Sequence, residues 1–190
     1  MPLTVHFPPV PCLNDEQFYQ LCQANPELRI EQTANGELII MAPTFSDTGN
    51  RNFNLAGQFA PWVETDGTGI GFDSSAGFTL PNGAKRSPDL SWIRRDRWDV
   101  LTPEQQASFA PICPDFVIEL RSASDSLTSL TIKLQEYIEN GAALGWLIDR
   151  KNRTVYLYRP GQVPELLDNP ETVSGDPELP GFVLKLAKIW

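Results

Sequence analysis

Apolar residues recur along this chain at two spacings, and the switches between them mark out the elements. Asn14-Asp15-Glu16 opens a short helix, with Asn14 as its N-cap and Phe18, Leu21 and Cys22 on one face. The runs LRIEQT and ELIIMA flank Ala34-Asn35-Gly36, where Asn-Gly supplies the positive φ angles of a tight hairpin. GNRNFNLAGQFAPWVE carries Phe53, Leu55, Ala56, Phe59, Ala60 and Trp62 at approximately helical spacing, and Pro61 is expected to kink or end that helix. From Gly69 the segments GIGFD, GFTLP and RSPDLSWI are short, rich in β-branched or aromatic residues and punctuated by turn residues, and read as three strands. Thr102-Pro103-Glu104-Gln105 is a capping box with proline at the first helical position, which gives a short helix before Pro111. DFVIEL is a strand. Ser126 to Asn140 is a helix with Leu127, Leu130, Leu134, Tyr137 and Ile138 on one stripe and Gly141 as its stop. LGWLID and TVYLYR form a hairpin around Lys151-Asn152-Arg153.

This order predicts an α/β (α+β) fold, a mixed central sheet flanked by helices with a β-hairpin extension at its N-terminal side. The 190 residues suit one domain around one core. Within it, residues 1–45 read as a helix and hairpin extension, 46–160 as the core, and 161–190 as an acidic, loop-rich tail. Between Arg159 and Lys185 there are five acids and no base, and Phe182, Val183 and Leu184 are expected to anchor the end.

Fifteen basic residues against twenty-four acidic ones leave a net charge of -9, so the whole-molecule field repels polyanions at long range and any nucleic-acid partner must be met by a local patch. No apolar run approaches the roughly 20 residues that span a bilayer. The opening MPLTVHFPPVPCLND lacks the basic-then-apolar pattern of a secretory signal, so a cytoplasmic location without membrane contact is expected. The three cysteines, Cys12, Cys22 and Cys113, are odd in number, far apart and never in a CxxC arrangement, which suits reduced thiols. His6 is the one histidine and sits in a proline-flanked segment. Hydrolases built on a histidine base, zincins and His-dependent nucleases are thereby largely excluded, leaving carboxylates, lysine and arginine.

Two strands carry acids where apolar residues belong. Asp89 follows Pro88 and precedes Leu90, and Glu119 sits among Val117, Ile118 and Leu120. A charge on an apolar strand is costly unless paired, exposed or bound to a metal. If adjacent strands bring the two together, a hard divalent cation with oxygen ligands is the natural neutraliser; otherwise they are solvent-facing acids or ion-pair partners of Arg86 or Arg121. Asp115 competes for the same role, since it also follows a proline and lies four residues before Glu119. Alternation puts Arg121 beside Glu119. Lys133 falls on the flank of the Leu130, Leu134, Tyr137 stripe, from which its ammonium could reach the sheet edge or simply snorkel to solvent. Lys85, Arg86, Arg94, Arg95 and Arg97 cluster around Asp89, with Trp92 and Trp98 interleaved. They read either as a candidate phosphate-gripping patch or as an ordinary basic loop offset by Asp96 and Asp99.

Pro88-Asp89, the Glu119-Leu120-Arg121 strand end and Lys133 together resemble the PD-(D/E)XK nuclease superfamily. More closely, the chain resembles the bacterial Uma-type family of putative restriction endonucleases, formerly a domain of unknown function. The likeness covers most of the chain: the ANGELIIMAPT hairpin, SPDLSWI, PDFVIELRS followed by KLQEYIENGA, GWLID with its TVYLYRPG hairpin, and the closing LPGF. It implies a restriction-endonuclease-like core and a magnesium- or manganese-dependent endonuclease acting on DNA, in which Asp89 and Glu119 bind the cation. The superfamily lysine usually stands two residues after the glutamate. Arg121 occupies that position here, and because a guanidinium stays protonated it cannot serve as a base. The resemblance therefore makes Lys133 the candidate for the displaced lysine and leaves Arg121 as a candidate phosphate or transition-state contact. It also admits a homodimer on two-fold symmetric DNA, and, as the alternative, a nuclease-fold module that binds nucleic acid or protein without cutting.

Overall fold

The computed structural model describes residues 3–5, 13–41 and 45–190. His6, Cys12 and the last residues of the hairpin motif, Ala42, Pro43 and Thr44, lie outside the described residues.

Among the described residues the strands form two large sheets and one two-stranded sheet. The N-terminal sheet has the order β1 (Leu3–Val5), β3 (Leu38–Ile40), β2 (Ile30–Gln32), β6 (Lys85–Arg86), β5 (Phe78–Thr79). The central sheet has the order β11 (Glu165–Asp168), β10 (Thr154–Tyr158), β9 (Leu144–Asp149), β8 (Phe116–Leu120), β7 (Leu90–Arg94), β4 (Gly69–Asp73). Only β8 and β9 run parallel there, joined through α5 (Leu127–Glu139); every other pairing in the sheet is antiparallel. The expected hairpin forms, but of the Asn-Gly pair only Gly36 takes a positive φ, 86°; the loop runs from Thr33 to Glu37 with Gly36 in the left-handed position, in place of a two-residue Asn-Gly turn.

Strand β8 is buried at every position, so both its faces are covered. Phe116, Ile118 and Leu120 enter a core built with α2 (Ser46–Asp66) and the C-terminal segment, while Val117 faces Leu134 and Tyr137 of α5. Helix α1 (Asp15–Ala24) begins with the expected capping box between Asn14 and Gln17, and a second such box at Thr102 and Gln105 starts α4 (Pro103–Gln106). The short α3 (Arg95–Trp98) follows β7 directly.

Three expectations are corrected. Helix α2 neither ends nor starts where expected: it begins at Ser46 and continues past Pro61 to Asp66, where Gly67 at φ 67° closes it. Pro61 and Gly57 are both exposed, so the carbonyl that loses its N–H partner faces water, which lowers the cost of an internal proline. RSPDLSWI is two strands. Pro88 cannot donate to a ladder, and the chain leaves the N-terminal sheet after Arg86 and enters the central sheet at Leu90. Asp89 consequently stands at the crossing between the sheets.

The C-terminal stretch is the third. Strand β11 extends the central sheet, and β12 (Thr172–Ser174) pairs with β13 (Val183–Lys185). Val173, Leu179, Phe182, Leu184, Leu186 and Ile189 are buried in the principal core, where the Phe182 ring stacks on Trp146 at 5.7 Å. Scattered apolar residues in an acidic, proline-rich stretch read as a loop by composition, yet these positions pack. Of the expected anchors, Phe182 and Leu184 are buried and Val183 is exposed. Among the described residues, no helix is long and apolar enough to cross a membrane.

Candidate active site

Leu90 opposes Ile118 in the antiparallel β7–β8 ladder, and one more step along that register sets Asp89 opposite Glu119. The half-buried Asp89 carboxylate accepts the Leu120 backbone N–H through Oδ2 at 2.8 Å and the Asn52 side-chain amide through Oδ1 at 3.2 Å. Asn52 comes from α2, so both layers meet at this carboxylate. Glu119 alternates with Ile118 and shares its face with Val117, beneath α5. It is 4% exposed, and its Oε1 lies 2.8 Å from Lys133 Nζ and accepts the Tyr137 hydroxyl at 3.2 Å. Both contacts fall on one oxygen, and Oε2 has no hydrogen-bond partner among the described residues.

Lys133 was expected on the flank of the α5 stripe with its ammonium at the sheet edge or in solvent. It is instead buried, with Nζ 2.7 Å from Oε1 of Glu31 as well as beside Glu119. Glu31, on β2, was missed by the sequence reading. The signal was present, since it is an acid within a short strand after Ile30, the pattern that singled out Asp89 and Glu119. Glu31 Oε1 also accepts the Ser87 backbone N–H at 2.9 Å, and Oε2 lies 3.2 Å from Arg86 Nη1. Arg86 in turn donates to Glu136 of α5 at 2.6 Å.

This cluster sets the carboxylates of Glu31, Asp89, Glu119 and Glu136 against the two cations Arg86 and Lys133, with Arg29 acting on Asp89 only through space. The imbalance is visible in the titration of Glu119 and Asp89. Burial pushes Glu119 up to about 7; the Lys133 ammonium pulls against this, while the charges of Asp89 and Glu31 add to it. Burial likewise raises Asp89, partly offset by the Leu120 N–H. Burial would raise Glu31 too, but Lys133 and Arg86 outweigh it and hold Glu31 below the ordinary glutamate value. Burial opposes the charge on Lys133, yet Glu119 and Glu31 keep it firmly protonated.

Among the described residues no group of three or more His, Cys, Asp or Glu side chains forms a ready-made metal cage. The Asp89–Glu119 pair nevertheless fits a hard divalent cation in donor chemistry. Both are carboxylates, the charge of Asp89 raises the proton affinity of Glu119, and among the described residues Oε2 of Glu119 has no hydrogen-bond partner, which suits an ion that retains most of its waters.

The remaining candidates lie elsewhere or are held by other partners. Arg121 does not face Glu119: strand β8 ends at Leu120, and the guanidinium pairs with buried Asp149 at 2.7 Å and donates to the Asp125 carbonyl. Asp115 pairs with Arg97 at 2.8 Å and accepts the Arg94 backbone N–H, at the opposite end of β8 from Glu119. Lys85 and Arg86, expected in a phosphate-gripping patch, are buried at 3% and 6% exposure. Lys85 is occupied by Asp15 and Gln32 and lies over the Phe18 ring, and Arg86 by Glu31 and Glu136, so neither is free to meet a phosphate. Arg94, Arg95 and Arg97 stand at or beyond the far end of β7, about 17 Å along the strand from Asp89. Arg94 pairs with Asp96. Trp92 is buried against Gly69 and offers no face for stacking bases; Trp98 is half-buried and packs on Phe72. Two clefts, of 350 and 640 Å³, lie away from the carboxylates; the larger is lined by Arg94, Arg95 and Trp92.

Comparison with known proteins places this geometry in context. The sequence model of the family described as "Uma2: Putative restriction endonuclease" matches residues 15–187. A crystal structure described as a putative nuclease belonging to DUF820, from Anabaena variabilis ATCC 29413, superposes with a TM-score of 0.76 at 22% identity, covering 93% of this chain and 97% of that one. At that identity the likeness shows the fold. No match is found among curated proteins.

Proposed function

The chain belongs to the Uma2 family, and from that premise we propose that it is a metal-dependent endonuclease that hydrolyses DNA phosphodiester bonds at the Asp89–Glu119 site. The observation that carries this reading is the approach of Asp89, just before β7, Glu119 of β8 and the Lys133 ammonium of α5 at one end of the central sheet. Asp89 and Glu119 would hold magnesium or manganese there, which when bound supplies an activated water and charge neutralisation at the scissile phosphate.

The protein's own groups do the rest. The Leu120 N–H and the Asn52 amide fix both oxygens of Asp89. Tyr137, whose hydroxyl burial keeps protonated, donates to Glu119 and sets its rotamer. Lys133, held as an ammonium, cannot take a proton from water; its role is electrostatic, to stabilise charge on the phosphate oxygens in the transition state. Arg121, tied to Asp149, supports the sheet end and is not the transition-state cation.

One observation favours a second reading, a module that binds nucleic acid or protein without cutting: the Lys133 ammonium already neutralises Glu119 internally. A cleavage assay on supercoiled, linear and single-stranded DNA with magnesium or manganese separates the two. Metal-dependent cutting that Asp89→Asn abolishes supports the enzyme; DNA retention without cutting supports the module.

A further inference from the structure

We propose that Glu31 is a positioning residue that keeps the Lys133 ammonium in the site when a cation takes over Glu119. The inference rests on the metal-site reading above and assigns part of the site to the N-terminal hairpin. Lys133 Nζ has two buried carboxylate partners at nearly equal distance, 2.7 Å to Glu31 and 2.8 Å to Glu119. They differ in what else holds them. Glu31 is gripped independently of the lysine, by the Ser87 N–H on Oε1 and by Arg86 on Oε2. Among the described residues Glu119 is held only by Lys133 and Tyr137, both on Oε1, and the β7–β8 register carried one step further sets it opposite Asp89.

A divalent cation at Glu119 repels the ammonium and competes for the same carboxylate. With Glu31 present, Lys133 exchanges a shared arrangement for a single strong pair and remains beside the phosphate. Without it, the ammonium must either leave the site or stay on Glu119 and oppose the metal.

Calorimetric titration with Mn²⁺ tests the proposal through a double-mutant cycle, with thermal unfolding in chelator confirming that each variant is folded. Glu31→Gln should weaken Mn²⁺ binding about 10-fold, in the range of residues that orient metal ligands. In a Lys133→Met background the same change should have an effect within about twofold, because no ammonium is left to compete. An equal loss in both backgrounds would mean that Glu31 acts only through its general negative charge, and would overturn the inference while leaving the metal site standing. No Mn²⁺ binding by the parent would overturn both. Should Glu31→Gln fail to fold, a crystal structure of the parent with Mn²⁺ decides: Lys133 Nζ should remain on Glu31 and withdraw from Glu119, and the reverse would overturn the proposal.

Discussion

The two ends of strand β7 hold charges of similar density in sequence and of opposite character in space. At the Asp89 end, side chains from β2, β6, β8 and α5 converge on a buried cluster that includes partners 50 and 102 residues apart, Arg86 with Glu136 and Lys133 with Glu31. At the Arg94 end, Arg94 pairs with Asp96 two residues away, and both are exposed. Exposed local pairs are screened and contribute little. Buried long-range ones tie elements together and leave an unbalanced charge that a ligand can satisfy. A run of arginines in a sequence is thus weaker evidence of a site than single acids on separate apolar strands.

Substitutions should reproduce this asymmetry. The largest effect is expected at the carboxylates: Asp89→Asn or Glu119→Gln should remove all measurable heat of Mn²⁺ binding, while the melting temperature in chelator holds or rises, since one member of a repelling pair has gone. Unfolding of either variant in chelator would make that acid structural. Next, Lys133→Ala should reduce cleavage by about two to three orders of magnitude, the scale of one electrostatic donor, without weakening Mn²⁺ binding. Cleavage at the parental rate under saturating metal would remove Lys133 from the site.

Protons sharpen the comparison further. Because burial lifts Glu119 to about 7, the folded protein binds a proton there that the unfolded chain, with an ordinary glutamate, has released. That contribution to stability is fully present below the unfolded value and is lost as pH rises through about 7. Melting curves in chelator should show it, and Glu119→Gln should flatten that part of the profile. Metal binding needs the carboxylate ionised, so Mn²⁺ affinity should climb by up to about tenfold per pH unit below 7 and level off above it. A flat profile between pH 5 and 8 would place the titrating group elsewhere.

Smaller effects belong to the other end. Asp115→Asn should keep Mn²⁺ affinity within about threefold, and cost about 1–2 kcal/mol of stability through weaker contacts to Arg97 and the Arg94 N–H. A metal defect as deep as that of Asp89→Asn would show that Asp115 also coordinates. Arg94→Ala should leave both the melting temperature and Mn²⁺ binding unchanged.

The helix stripes, the Asn-Gly hairpin and the caps were legible because each depends on neighbours within a few residues. Asp89 and Glu119 were legible as a pair worth suspecting because unpaired charge on an apolar strand needs an explanation. The partners were not: whether Arg86 answers Glu31 or a phosphate depends on β6 joining the N-terminal sheet, a pairing no local pattern announces. Lys133 was placed on the correct helix, but its burial depends on how α5 and β2 meet over β8. The burial of Phe182 and Leu184 was legible, but the strands of the tail were misread as loop because acidic, proline-rich composition hides short pairings.

The account's central claim is a cation between Asp89 and Glu119, and anomalous scattering from crystals soaked in Mn²⁺ tests it most directly. A single strong peak bridging the two carboxylates, absent from Asp89→Asn crystals, is the predicted result. Well-ordered crystals with no peak there, Lys133 Nζ still seated on Glu119 at saturating Mn²⁺, would contradict it.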